Sequence, residues 1–305
     1  MSDTGTTTTT AASRTAGRPR SLGSDAWHDL RRNPVFIVSG ALIVVLLLMA
    51  AFPGLFTSKN PTFCDLTHSR QAPGPGAWFG YDLQGCDVYA RAVYGARASI
   101  LVGVLTTVAV VVIGGLVGMI AGFYGRWVDA VLSRLLEIFF GIPLLLGGIL
   151  VLASFPSGQG TPAWVTVGKV VLALSILGWP PLARIMRSTV IQVKHADYVV
   201  AAQALGGRAS RIMRRHVLPN AVAPVIVYAT IALGVFIAVE ATLSYLGIGL
   251  QPPVVSWGVD INNAREYIRV SPHMLLFPAA LLSTTVLAFI MLGDAVRDAL
   301  DPKLR

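Results

Sequence analysis

Ionic side chains are scarce in this chain. Asp, Glu, Lys and Arg supply 13% of its 305 residues, about half the share of a soluble domain. Cysteine is scarcer still. Cys64 and Cys86 are the only two, and their spacing matches no metal-binding pattern. No Gly-x-x-x-x-Gly-Lys-Ser/Thr stretch occurs, so a phosphate-loop ATPase site is missing. Neither His-Glu-x-x-His nor Gly-x-Ser-x-Gly appears. The histidines, at 28, 68, 195, 216 and 273, are scattered without ligand spacing. Together these absences argue against an enzyme and against a metal or other cofactor bound by the chain itself.

What the chain has instead is long apolar sequence. Hydrophobic residues make up 54% and the mean hydropathy is +0.66. Val35 to Phe52, Ala98 to Phe123 and Met274 to Leu292 carry no charge over 18, 26 and 19 residues. A helix needs roughly 20 apolar residues to cross about 30 Å of hydrocarbon. Three more stretches qualify with a blemish: Leu135 to Ala153 with Glu137, Val165 to Ile185 with Lys169 and Arg184, and Ala221 to Leu246 with Glu240. The prediction is an all-α polytopic membrane protein with six transmembrane helices.

The net charge is +9, and its distribution gives it a meaning. With the N-terminus inside, the predicted inner segments hold 17 of the 24 Lys and Arg residues. Positive residues favour the cytoplasmic side, so both termini are expected there. The basic balance therefore needs no nucleic acid partner.

Residues 1–24 are small and polar and cannot bury enough surface to order themselves, which predicts a disordered cytoplasmic tail. Residues 25–34 form an expected interfacial segment in which Trp27 and Leu30 share a face. The first span takes 35–52. An extracytoplasmic cap loop takes 53–97, rich in Pro, Gly and aromatics and long enough to be functional. A five-span core fills 98–293, with a cytoplasmic loop at 186–220, and a tail follows at 294–305. No internal repeat is evident, which disfavours inverted-repeat carriers.

Three groups of residues are candidates for a role. In the loop, Asp197 is placed to start a helix, and Ala201 and Ala202 are small enough for another surface to approach closely. Gly206 and Gly207 end that helix. Arg208, Arg211 and Arg215 then recur at helical spacing, and Leu218-Pro219 marks a turn before the next span. A basic loop lying on anionic membrane lipid would show the same arginines, but it would not require the small residues and the glycine break. Glu240 lies inside a span, where an ionisable group is expensive. It is either a translocation-pathway residue or a structural hydrogen-bonding group. Cys64 and Cys86 share the predicted outer loop, where a disulfide is possible; the alternative is two unpaired thiols.

The loop, written Ala-Ala-x-x-x-Gly…Leu-Pro, resembles the coupling motif of bacterial ABC importer permeases. Trp27 to Pro34, the Phe79 to Arg97 stretch ending Tyr-Gly-Ala-Arg, the Glu240 to Gly258 stretch and the Leu292 to Arg305 tail are similar to the same group. That group is the C-type permease subunits of dipeptide, oligopeptide and nickel ABC importers. The resemblance implies a type I importer permease fold in a bacterial plasma membrane, with the loop docking on an ATPase through Asp197, Ala201, Ala202, Gly206, Arg211, Leu218 and Pro219. It also implies a homologous B-type permease, two ABC ATPase subunits holding ATP and Mg, and an extracytoplasmic solute-binding protein. Peptides are the expected cargo; nickel or another small solute is the alternative within the family, and an ATP-independent carrier the alternative outside it. Tyr81, Cys86 and Val200 depart from the family pattern, and Val200 removes an acidic residue from the coupling motif.

Overall fold

The computed structural model describes residues 27–158 and 160–300. The predicted tail 1–24 and the last five residues lie outside them. Helices dominate, as they must where lipid offers the backbone no hydrogen bonds. Among the described residues β-structure is confined to isolated bridges in the cap.

Residues 27–30 form a single helical turn. Helix α1 (Pro34–Ala51) follows. Asn33 caps it, its side chain accepting from Val35 N at 2.9 Å, and Pro34 occupies the first turn. Helix α2 (Val88–Tyr124) has 37 residues, about 55 Å at 1.5 Å per residue, and so outreaches the bilayer. Sequence charge set the cap's end at Arg97, whereas α2 starts at Val88, where Asp87 accepts from Ala90 N at 2.9 Å. The arginines that mimicked loop residues are paired. Arg97 donates to the carbonyls of Ala50 and Ala51, both at 3.1 Å, covering the open end of α1.

The next two predicted spans are each broken. Helices α3 (Arg126–Phe140) and α4 (Leu144–Ser154) meet at 82°, and α5 (Ala163–Gly178) and α6 (Pro180–Val193) at 44°. Pro143, Pro180 and Pro181 sit at these breaks, each lacking the N–H that would continue the helix. Hydropathy averages over such a break and cannot see it. Two short helices, α7 (Asp197–Ala204) and α8 (Ala209–Ile212), lead through a π-helical turn (Met213–Val217) into α9 (Leu218–Tyr245). Helix α10 (Trp257–Ala264) lies between the predicted spans 221–246 and 274–292, and α11 (His273–Leu300) carries helix seven residues into the predicted tail. Among the described residues, four helical stretches are long and apolar enough to cross a membrane, or up to six if each bent pair counts as one span.

Helix α2 is the mast. Its Gly114, Gly118 and Gly122 line up one turn apart against α6. A Cβ at Gly114 would come within 2.7 Å of the Trp179 carbonyl, and one at Gly122 within 2.9 Å of the Arg187 carbonyl. Backbones approach this closely only where side chains are absent, the small-residue packing of membrane helices. Asp129 of α3 and Arg187 of α6 form a two-pronged ion pair, one contact at 2.6 Å, beside this seam. Lys194 donates to the Gly122 carbonyl at 2.8 Å, capping the end of α2. Elsewhere α2 packs on α1, α9 and α10, with Trp257 fully buried and its indole donating to the Ala92 carbonyl at 2.8 Å.

Candidate coupling site

The segment from Asp197 to Pro219 stands at the α2 end capped by Lys194. Helix α7 begins one residue earlier than read from sequence. Ala196 is the N-cap, and Asp197, making no capping bond, is the first helical residue, its charge favourable at that end. The helix then ends in a Schellman arrangement: Gly206 N–H donates to the Gln203 carbonyl at 2.9 Å and Gly207 N–H to Ala202 at 3.1 Å. Gly206 has φ +78°, the left-handed region, with open space where a side chain would go.

Val199 is fully buried and Ala202 half-buried against the subunit's own core with Ile212. Ala201 and Leu205 face out, Leu205 89% exposed. The outward knob is therefore Ala201, Leu205 and Gly206, while Ala202 holds the element down.

The arginines gather differently from an α-helical stripe. Arg208 is the N-cap of α8, and the π-turn widens the spiral, so Arg208, Arg211, Arg214 and Arg215 all line one open concavity of about 770 Å³. None of the four has an acidic partner among the described residues. Pro219 does not stop a helix. It lies in the first turn of α9, after the π-turn in which Leu218 N–H reaches Met213 O. The altered register absorbs the N–H that proline lacks, and Asn220 Nδ2 covers the His216 carbonyl at 2.7 Å.

Glu240 is fully buried within the subunit. Its Oε1 accepts from Ser244 Oγ at 2.8 Å, and that hydroxyl in turn accepts from Leu250 N at 2.9 Å. The carboxyl thus pins the turn where α9 runs into the loop before α10. The Ser99 hydroxyl of α2 also lies beside the carboxyl, although neither it nor Oε2 completes a hydrogen bond of ordinary geometry among the described residues.

Comparison with known proteins bears on these features. The family model for the binding-protein-dependent transport system inner membrane component matches residues 114–305. The chain belongs to this permease family. A second model, the N-terminal transmembrane domain of oligopeptide transport permease C, matches residues 21–73 of the permease. The dipeptide transport system permease protein DppC of Alkalihalophilus pseudofirmus is 36% identical over 92% of this chain and 90% of its own. The oligopeptide transport system permease protein OppC of Bacillus subtilis is 36% identical over 96% and 94%. The glutathione transport system permease protein GsiD of Pectobacterium atrosepticum is 32% identical over 92% and 90%. A chain of the inward-facing MetNI methionine ABC transporter shares the fold, with a TM-score of 0.53 at 21% identity over 68% of this chain and 96% of that one. These matches agree with the C-type permease resemblance in the sequence and set aside an ATP-independent carrier.

At the other end of α2 the permease carries charges that sequence reading passed over. Arg91 bridges Asp260 of α10, through two contacts to Oδ1, and Asp82 of the cap, whose Oδ2 lies 3.5 Å from Nε. Burial pushes the Asp260 carboxyl above the usual carboxylate range, and Arg91 pulls it back. Asp82 and Arg91 fall within a stretch quoted for the family resemblance, the one signal available beforehand. Asp260 gave none, being 169 residues away from Arg91. The cap itself is tied by a Cys64–Cys86 disulfide, by Lys59 to Asp87 at 2.6 Å and by Phe79 stacked on Phe277 at 3.9 Å between centroids.

Proposed function

We propose that this permease is one half of the translocation pathway of an ATP-driven importer of short peptides. It crosses a bacterial plasma membrane six times with both termini in the cytoplasm. A homologous B-type permease completes the pathway, and an extracytoplasmic binding protein delivers the peptide at the cap. Two ATPase subunits, holding ATP and Mg, dock on the Asp197 to Pro219 segment. The single observation that carries the docking reading is the exposed Ala201–Leu205–Gly206 knob with an unpartnered arginine concavity beside it. Four like charges held together invite an acidic surface. Peptide cargo is supported by the names of the relatives, which are dipeptide, oligopeptide and glutathione permeases.

In this reading the knob converts ATPase closure into movement of α9 and α6, because α7 is anchored through Val199 and Ile212 to the core those helices share. Deletion of the chain should abolish uptake of a radiolabelled dipeptide, and the complemented strain should regain it. Nickel uptake that follows the gene while dipeptide uptake does not would overturn the peptide assignment. Affinity purification of the tagged permease is expected to bring down ATPase subunits; their absence would remove the coupling role.

A further inference from the structure

Two proline breaks meet at one cavity. Pro143 separates α3 from α4, and Pro180 with Pro181 separates α5 from α6. Residues of both breaks and of α9 enclose about 300 Å³, the lower end of the range for small-ligand sites. Phe139, Leu177, Val235 and Phe236 are among its walls. Among the described residues that line it none is charged, and Tyr228 brings the one side-chain hydroxyl. Gly178 fixes the depth. A Cβ there would come within 3.4 Å of Val110 Cγ2 of α2, and Val110 stands at the centre of the charge-free run Ala98 to Phe123. The cavity therefore lies near the middle of that run, where lipid offers no hydrogen bonds.

The backbone at this depth is short of donors. In a continuous helix the carbonyls of Ile176 and Leu177 would accept from residues 180 and 181. Both are proline and have no N–H to give. Pro180 also stands three residues after Leu177, so the tighter 3-10 bond is closed to that carbonyl as well. A carbonyl withdrawn from water without a donor is costly. Irregular backbone at membrane depth is tolerated where it is buried in protein or lines a cavity, and Leu177 lines this one. The chemistry missing here is an N–H donor. An ammonium is the wrong one, because no carboxylate among the lining residues balances its charge. An acyl chain would fill apolar space but carries no donor. A neutral amide supplies the N–H, its own carbonyl suits the Tyr228 hydroxyl, and an apolar side chain beside it suits the aromatic walls.

We infer that this cavity is a binding site for one neutral residue of a peptide, an amide N–H together with an apolar side chain. That the peptide is cargo rests on the import reading proposed above; the binding itself does not. The probe is N-acetyl-para-fluorophenylalanine methylamide, followed by fluorine NMR on the purified permease complex in lipid nanodiscs. The matching methyl ester, which lacks one N–H, is its counterpart, and empty nanodiscs give the baseline. The methylamide is expected to bind the native complex above that baseline, and the ester about fivefold more weakly, the loss of one neutral hydrogen bond. Val235→Trp fills the cavity from a position that is 40% exposed and should abolish binding of both. Pro181→Ala returns an N–H to the Leu177 carbonyl and should erase the advantage of amide over ester, which keeps the test intact if Val235→Trp does not assemble. Equal binding of amide and ester by the native complex, binding no greater than to empty nanodiscs, binding that survives Val235→Trp, or an advantage that persists in Pro181→Ala would overturn the site. Uptake of radiolabelled dipeptide separates the two readings. Probe binding as expected with no native uptake would sink the import reading and leave the site standing. Native uptake by the Val235→Trp complex would take the cavity off the path of the peptide and overturn its role toward cargo.

Discussion

Gly206 and Glu240 show how differently single residues serve this subunit. Gly206 is needed for its backbone, since at φ +78° an L side chain costs about 1 kcal/mol. An aspartate is among the residues that tolerate that conformation, so Gly206→Asp should leave the membrane helices in place. It would also put a carboxylate beside the arginine concavity and occupy the docking charge from within. The expected outcome is normal membrane insertion with ATPase subunits lost from the purified complex, or retained with ATP hydrolysed and no uptake; full transport with both ATPases bound would refute docking there. Glu240 is needed for an acceptor. Glu240→Gln keeps an oxygen facing Ser244, so uptake should stay within about twofold of native, a change under about 0.5 kcal/mol. Glu240→Leu strands that hydroxyl and should cost about 1–3 kcal/mol, read as a lower unfolding temperature in detergent. A large transport defect in the stable Gln variant would instead place Glu240 on the pathway.

At the scale of elements, the α2–α6 seam and the cap carry opposite kinds of risk. The seam tolerates no bulk: a side chain at Gly118 would strike the Ala183 carbonyl and come within 2.8 Å of Met186 Cβ. Gly118→Leu is expected to destabilise the subunit by about 1–3 kcal/mol or more, seen as reduced yield of monodisperse protein, whereas Gly115→Leu, with open space around it, should behave as native. The cap depends on a covalent tie. The disulfide closes a loop with a sequence separation of 22, worth about 3 kcal/mol by chain entropy. Intact mass after alkylation without reductant should show no modified cysteine. Cys64→Ser with Cys86→Ser should loosen protection of the cap in hydrogen exchange while leaving the Lys194 end of α2 unaffected.

The whole molecule is organised by α2, with the cap and the Arg91 ion cluster at one end and the arginine concavity at the other. If basic residues mark the cytoplasmic side, the two ends face opposite compartments. Reporter fusions after Lys59 and after Arg265 should then read extracytoplasmic, and a fusion after Arg211 cytoplasmic. An extracytoplasmic signal at Arg211 would invert the molecule and place the arginines out of reach of any ATPase.

Sequence by itself determined the membrane class, since charge-free runs of 18 to 26 residues have one stable home. It also marked the Asp197 to Pro219 segment as the candidate for coupling, because small residues, a glycine break and arginines are local features in one loop. Only the tertiary structure decided where helices break, since hydropathy is blind to a proline inside an apolar run. It decided that Ala202 turns inward and Ala201 outward, because which face of α7 packs depends on Ile212 in the next helix. It brought Asp260 to Arg91 across 169 positions, a contact fixed by how α10 lies on α2. Local chemistry is written in adjacent residues; pairing between distant helices is decided by packing.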